Sequence, residues 1–257
     1  MASQSISASP SATLGNPTQR FEGGGGAVGA ILGASLLGGL GAFFLFGAFA
    51  DSSSRTSDGI NWVLAIMGLF LAGLGVMILF NWWKNRGAYV QVYSGGFARI
   101  QGTKVQEVRW DDIRAVWQSI TKNYRNGVYM GTTYIYTVLA ADNTKLVFGN
   151  EIKGIEQLGQ LIQREATNRL FPRMVAAYNA GQPVQFGDFA ISREGITHKN
   201  KNLPWSEIEG AQINNGFVTF KKQGKWFNWA NVPVAQIPNM IVFLSLIDHV
   251  VGLKRGR

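Results

Sequence analysis

Any chemistry in this chain has few residues to draw on, since it contains two histidines and no cysteine. His198 stands in the run His198-Lys199-Asn200-Lys201, and His249 follows Asp248. A metal centre needs several converging ligands, and neither an HxxxH nor an HExxH spacing occurs. A Ser-His-Asp arrangement could recruit either histidine, but no glycine-flanked nucleophile elbow surrounds a serine. Asp111 and Asp112 are adjacent carboxylates placed just after a predicted strand, where such residues end pairing or close a turn. The absence of cysteine removes a disulfide framework, a thiolate zinc site and a thiol nucleophile. The expectation is a protein that is not an enzyme, with no catalytic residue, no metal and no cofactor.

Positive charge is more informative. The chain carries 24 Lys and Arg against 15 Asp and Glu, a formal charge of +9. Before Lys84 the only charged residues are Arg20 and Arg55 against Glu22, Asp51 and Asp58, so the whole surplus lies further on. A basic surface suits anionic headgroups or nucleic acid. Lys199 and Lys201 fall on one predicted hairpin tip, and Lys221, Lys222 and Lys225 surround a second at Gln223-Gly224. Lys222 and Lys225 are expected to face one another across that turn. Like charges in that arrangement repel, and an anion between them would relieve the cost. Lys254, Arg255 and Arg257 form a basic tail. Solvated loop tips are the competing reading. The neighbouring Trp226-Phe227-Asn228-Trp229 could present a membrane-dipping or base-stacking aromatic, but strand alternation turns half of it inward and favours the core. Trp110 and Trp205 are likewise expected in the core. No nucleic-acid motif accompanies the charge, so nucleic acid is not an expected partner.

The elements that would hold these residues begin with a tail. Residues 1–26 are rich in Ser, Ala, Pro, Gln and Gly without apolar periodicity, which predicts disorder. The run Gly23 to Gly26 lacks the preceding strand and Lys-Ser/Thr ending of a phosphate loop. Ala27 to Ala50 and Ile60 to Phe80 contain no charge, and each reaches the ~20 residues that cross a bilayer as a helix. They define a transmembrane hairpin over 27–83, joined by the polar turn Asp51 to Gly59. Trp82-Trp83 suits the headgroup belt, with Trp62 at the opposite interface. Two spans put both termini on one side, and Arg20, Lys84 and Arg86 against Arg55 make that side cytoplasmic in a multi-pass protein of the cell membrane. A rival reading takes Ala48-Phe49-Ala50 as a signal cleavage site. The long apolar stretch and the lack of an opening basic region oppose it. Ala30, Ala34, Gly38 and Ala42 give the first span a face of small residues at every fourth position, with Gly29 and Gly33 adding a GxxxG step. That face is expected to pack on the second span near Gly68 and Ala72, and self-association is the alternative.

Beyond Arg86 the pattern changes to strands. Val90 to Tyr93, Phe97 to Ile100, Val105 to Trp110, Tyr134 to Leu139 and Leu146 to Phe148 are separated by turn residues. A helix follows on Ile152, Ile155, Leu158, Leu161, Ile162 and Leu170, which Pro172 should interrupt or kink and Gly181-Gln182-Pro183 should end. The order then repeats: Val184 to Ile191, Ile196 onward, Phe217 to Lys222, Lys225 to Trp229, and a helix from Met240 to about Leu253, too short to span a bilayer. Trp110-Asp111-Asp112-Ile113 answers Trp205-Ser206-Glu207-Ile208, each after a hairpin opened by glycine, Gly96 or Gly195. Short strands closed by one C-terminal helix describe the pleckstrin-homology-like roll. The predicted fold is α+β: a two-helix membrane hairpin, then two tandem rolls over 86–180 and 183–253, each capped by a C-terminal helix.

From Val90 to Val251 the chain resembles a bacterial membrane protein family of unknown function built on pleckstrin-homology-like domains. The resemblance rests on Arg109-Trp110-Asp111-Asp112-Ile113, on Phe171-Pro172-Arg173 through Val184-Gln185-Phe186-Gly187, on Leu203-Pro204-Trp205-Ser206-Glu207-Ile208, and on Val232-Pro233-Val234-Ala235-Gln236-Ile237-Pro238-Asn239. It implies a fold and a membrane setting and transfers no catalytic residue. The hairpin Tyr124 to Thr133 departs from it, as family variation or as a contact surface. The expected function is a membrane-anchored binding or scaffold module that presents basic surfaces to a protein or to anionic lipid. The alternative is an accessory subunit of a membrane transport or enzyme complex, which the lack of charge inside either span opposes.

Overall fold

A computed structural model describes residues 13–23, 27–50, 62–85 and 87–251. The structure is a mixed α+β arrangement with two apolar N-terminal helices and four antiparallel sheets. It divides into two units. One holds residues up to Phe21 together with Val90–Arg99 and Gln106 onward; the other holds Glu22–Tyr89 and Ile100–Val105.

The larger unit begins before the apolar helices. Strand β1 (Pro17–Glu22) lies beside β2 (Tyr89–Tyr93), followed by β3 (Gly96–Gln101) and β4 (Lys104–Arg109) in a sheet of order β1-β2-β3-β4. The predicted disorder is therefore corrected for residues 13–23; residues 1–12 and 24–26 lie outside the described residues. The reason is tertiary. Ser94 N–H donates to the Asn16 carbonyl at 3.0 Å and Gly95 N–H to that of Leu14 at 2.8 Å. Leu14 and Phe21 are 1% and 4% exposed.

A 3-10 turn at Trp110–Asp112 leads into a second sheet, β5 (Ile113–Arg125), β6 (Val128–Ala140) and β7 (Lys145–Phe148), and then helix α3 (Ile155–Asn179), numbered after the two apolar helices of the smaller unit. β5 and β6 pair along their whole length, from Ile113↔Ala140 to Arg125↔Val128. Their outer halves project as an exposed two-stranded arm, turning at Asn126-Gly127 where both residues have positive φ. Pro172 sits inside an unbroken α3, so the expected interruption does not occur. The helix ends at Gly181 (φ +80°), where Gly181 N–H donates to the Tyr178 carbonyl and Gln182 N–H to that of Ala177. That pair of bonds is a Schellman stop.

The same order recurs in β8 (Val184–Phe186), β9 (Phe189–Ile191), β10 (Gly195–His198) and β11 (Lys201–Pro204), then a 3-10 turn at Trp205–Glu207. A three-stranded sheet β12 (Ile208–Asn214), β13 (Phe217–Lys222) and β14 (Asn228–Pro233) follows, and then helix α4 (Met240–Val251). Val184 to Ile191, expected as one strand, folds into two around Gly187 (φ +64°). The paired glycines have a physical reason. A Cβ on Gly96 would lie 2.3 Å from the Val108 carbonyl oxygen, and one on Gly195 would lie 2.2 Å from that of Leu203. Only glycine lets these strands cross so closely. Buried side chains from both halves, Phe97, Trp110 and Phe148 through Phe186, Phe220 and Phe243, form one continuous core.

The smaller unit is built on α1 (Ala27–Ala50) and α2 (Trp62–Asn85). Both are long and apolar enough to cross a membrane, and their flanks expose Leu32, Leu36, Phe43, Phe46, Ile66 and Phe70. They meet on small residues: a Cβ on Gly41 would lie 2.8 Å from the Gly68 carbonyl oxygen and 2.9 Å from the Ala72 nitrogen. Ala34, Gly41 and Ala48 share the buried seam. That spacing of seven differs from the expected spacing of four. An i+4 step overshoots a full turn by about 40°, whereas i+7 falls short of two turns by about 20°. Ala34 therefore stays in the contact, Ala30 and Gly38 sit at its margin, and Ala42 has rotated out to an exposed position. The turn 51–59 lies outside the described residues. Gly23 N–H donates to the Ala88 carbonyl at 2.7 Å, so the chain enters and leaves this unit through paired backbone.

Candidate functional site

The charged and aromatic residues singled out by sequence gather at one end of the second half. β10 ends in His198, whose ring stacks on Phe189 at 4.5 Å and meets the Trp229 ring at 6.2 Å. Trp229 is the second residue of β14, so its contact with His198 brings the β10–β11 tip near the start of that strand. Lys199, at the tip with φ +54°, donates its backbone N–H to the Asp188 carbonyl. The β8–β9 turn therefore belongs to the same end. Lys199, Lys201, Lys221 and Lys225 are all exposed there.

Two expectations are corrected at the β13–β14 loop. Lys222 and Lys225 do bracket the turn, but the Lys222 ammonium already pairs with the Glu207 carboxylate, so its charge is not left facing Lys225 alone. β14 begins at Asn228, opposite Lys221, three residues later than expected. Gln223-Gly224 does turn tightly, with Lys225 N–H donating to the Lys222 carbonyl, but Lys225, Trp226 and Phe227 then leave the ladder. As a result Trp226 and Phe227 are 99% and 85% exposed rather than in the core. Trp229 alone of the aromatic cluster packs inward, edge-on to Phe220 at 6.3 Å.

Exposed lysines and exposed aromatic side chains occur together at this end. His198 is a half-buried wedge between Phe189 and Trp229. Burial, reinforced by Lys199 and Lys201 and opposed by Asp188, holds its pKa below the usual imidazole value. His249 is exposed on α4. Asp111 and Asp112 do not act as a carboxylate pair: Asp112 accepts two bonds from Arg109, at 2.8 and 3.1 Å, and Asp111 one from Arg169 at 3.0 Å. Trp110 is buried as expected, while Trp205 is half-buried and donates Nε1–H to the Ser192 carbonyl at 2.8 Å. Among the described residues, no three His, Asp or Glu side chains gather as a metal site would require. The basic tail at Lys254, Arg255 and Arg257 lies outside the described residues. The exposed Trp-Phe pair is what sequence reasoning missed. Its only signal was that two bulky aromatics follow a glycine turn directly, before regular alternation resumes.

Fold and surface thus define a protein class: two successive strand-rich halves, each ending in a helix, carried by a chain with two helices of membrane-spanning length. The profile of a family of unknown function (DUF6585) matches residues 1–255, and the chain belongs to that family. No curated protein matches it.

Proposed function

We propose that this protein is a membrane-anchored binding module. Two pleckstrin-homology-like rolls hang from a hairpin of two spans, and the second roll meets the anionic headgroups of the leaflet on its own side. The observation that carries the reading is the Trp226-Phe227 pair, held out in solvent at the end of the second half where Lys199, Lys201, Lys221 and Lys225 are also exposed. Leaving two aromatic side chains in water forgoes about 1.5–3 kcal/mol for Phe alone. Aromatics beside cations at a loop tip are the composition of the membrane interface, where ring and headgroup are both satisfied. The anchor favours the encounter. Three residues separate the end of α2 at Asn85 from Tyr89, a reach of about 14 Å at full extension. The roll assignment is supported by the order of four strands, a tryptophan-led 3-10 turn, three strands and a helix, present twice. Arg20, Lys84 and Arg86 against Arg55 favour the cytoplasmic side for both termini.

The natural chain has no cysteine, so one label can be placed without competition. Phe227→Cys carrying an environment-sensitive dye, in the full chain reconstituted into liposomes, should shift to the blue with phosphatidylglycerol present. It should not shift in phosphatidylcholine alone, and salt should reverse the change. Identical emission in both lipids, with full access to an aqueous quencher, would remove the lipid reading and leave a protein partner as the occupant of this end.

A further inference from the structure

A second site, independent of the aromatic loop, lies along the free edge of β5. A cleft of about 740 Å³ is lined on one side by the five consecutive residues Gln118 to Lys122. Its other wall is the β12–β13 turn at Asn215-Gly216 and the chain from Pro233 to Ala235. A strand that shows a face to a cleft contributes alternate residues, while consecutive residues mean that it shows its edge.

The hydrogen bonds give the phase of that edge. Val116 N–H donates to Asn239 Oδ1 at 2.9 Å, and its carbonyl accepts from Asn239 N–H at 2.8 Å. Val116 therefore points its peptide groups away from β6. Gln118, Ile120 and Lys122 share its parity, and no register shift falls between Val116 and Lys122. Their N–H and C=O groups face outward in the same way. The opposite strand agrees: Tyr134, register partner of Ile120, donates its N–H at 2.7 Å to Asn150, again away from the ladder.

Asparagines close the neighbouring edges. Asn239 also donates Nδ2 to the Arg114 carbonyl, so a buried side chain imitates one residue of a pairing strand at the base of β5. Asn150 does the same on β6, donating to the Thr132 carbonyl at 2.8 Å. Above Asn239, no described residue takes the outward groups of Gln118, Ile120 and Lys122. An exposed strand edge is a pairing template that proteins otherwise cover or block.

We propose that this edge binds an extended acidic segment of a protein partner, which enters the cleft and adds a strand beside Gln118 to Lys122. Main-chain bonds would supply the affinity, as in other strand additions. The acidic character follows from charge. Lys122 is the one charged residue lining the cleft, and Arg114, Lys122 and Arg125 stand between Ile113 and Ala140 without a single Asp or Glu. A second copy of this arm would bring like charges together.

The test uses the full chain in nanodiscs, with synthetic β-prone peptides alternating Val or Thr with Glu, and matched peptides with Lys in place of Glu. Hydrogen exchange should find the amides of Gln118, Ile120 and Lys122 fast and those of Ser119 and Thr121 slow. The acidic peptide should slow the fast set, and the basic peptide should not. N-methylation of alternate peptide amides should abolish binding in one phase and spare it in the other. Ile120→Pro removes one cleft-facing donor while leaving the β5–β6 ladder, and should weaken binding about tenfold. Lys122→Glu should reverse the peptide preference and does not depend on a proline being tolerated. The proposal is overturned if neither peptide protects Ile120, if both do equally, or if the edge amides are already slow in a way that tracks protein concentration. That last result would seat a second copy on the edge.

Discussion

Replacing residues 24–87 with an Asn-Gly turn should give a soluble, folded protein, while starting the chain at Gly87 should not. The reasoning rests on the strand that precedes the apolar helices. β1 and β2 already run antiparallel, with Gly23 N–H bonded to the Ala88 carbonyl at 2.7 Å, so a tight turn can join them without moving either. A chain begun at Gly87 lacks Leu14 and Phe21, both buried. Truncating a buried Leu costs about 2–5 kcal/mol and a buried Phe about 3–5, so losing both removes roughly 5–10 kcal/mol. Whole domains are stable by only ~5–15 kcal/mol. The shortened chain also bares the outer edge of β2, which invites aggregation. Urea unfolding of the two proteins, followed by tryptophan fluorescence, makes the comparison, with Phe21→Ala in the spliced protein as the intermediate case. Equal midpoints for the spliced and shortened proteins would refute the reasoning, because β1 would then contribute nothing to the first half.

Gly96→Ala and Gly195→Ala should each destabilise the spliced protein by several kcal/mol, since the added Cβ meets a backbone carbonyl oxygen at 2.3 or 2.2 Å. Gly29→Ala in the full chain, where a Cβ meets nothing within 4 Å, should be neutral by the same urea or thermal measurement. His198 should make stability fall with acidification. Its folded pKa is depressed below 6.5, chiefly by burial, so its contribution is intact above pH 6.5, declines as the pH drops below it and levels off beneath the folded value. His198→Phe should flatten that slope in a series of urea midpoints from neutral to mildly acidic pH.

Local pattern made some of this legible and distance hid the rest. The two long apolar helices were visible because each is an uncharged apolar stretch of bilayer length, and α3 because its apolar positions follow a helical period. The glycine-opened hairpins and the Trp-acid-x-Ile step were visible because both halves carry them. β1 was not: Pro17 to Glu22 holds a single large apolar residue, Phe21, and its partner strand lies some seventy residues onward. Only the tip of the β5–β6 arm is legible, as the hairpin Tyr124 to Thr133, because an arm wetted on both faces has no inside to alternate against. Trp226 and Phe227 ran against pattern altogether, since hydrophobicity predicts burial and these side chains are held out by where the β13–β14 ladder resumes. The part played by Asn239 depends on a strand more than a hundred residues earlier, which no local reading could supply.

The position of the apolar helices within the fold has a consequence that composition alone does not carry. They neither precede the first half as a leader nor follow it as a tail, but interrupt it between its first two strands. If the helices cross a membrane, β1 and β2 can pair only when both emerge on one side, which requires an even number of crossings. A chain that crossed once would strand Phe21 on the far side from Val90 and Val92 and leave the sheet without its edge. In that case the same backbone bonds that complete the first half would select the topology of the two helices. The charge bias of Arg20, Lys84 and Arg86 then needs only to choose which side that is.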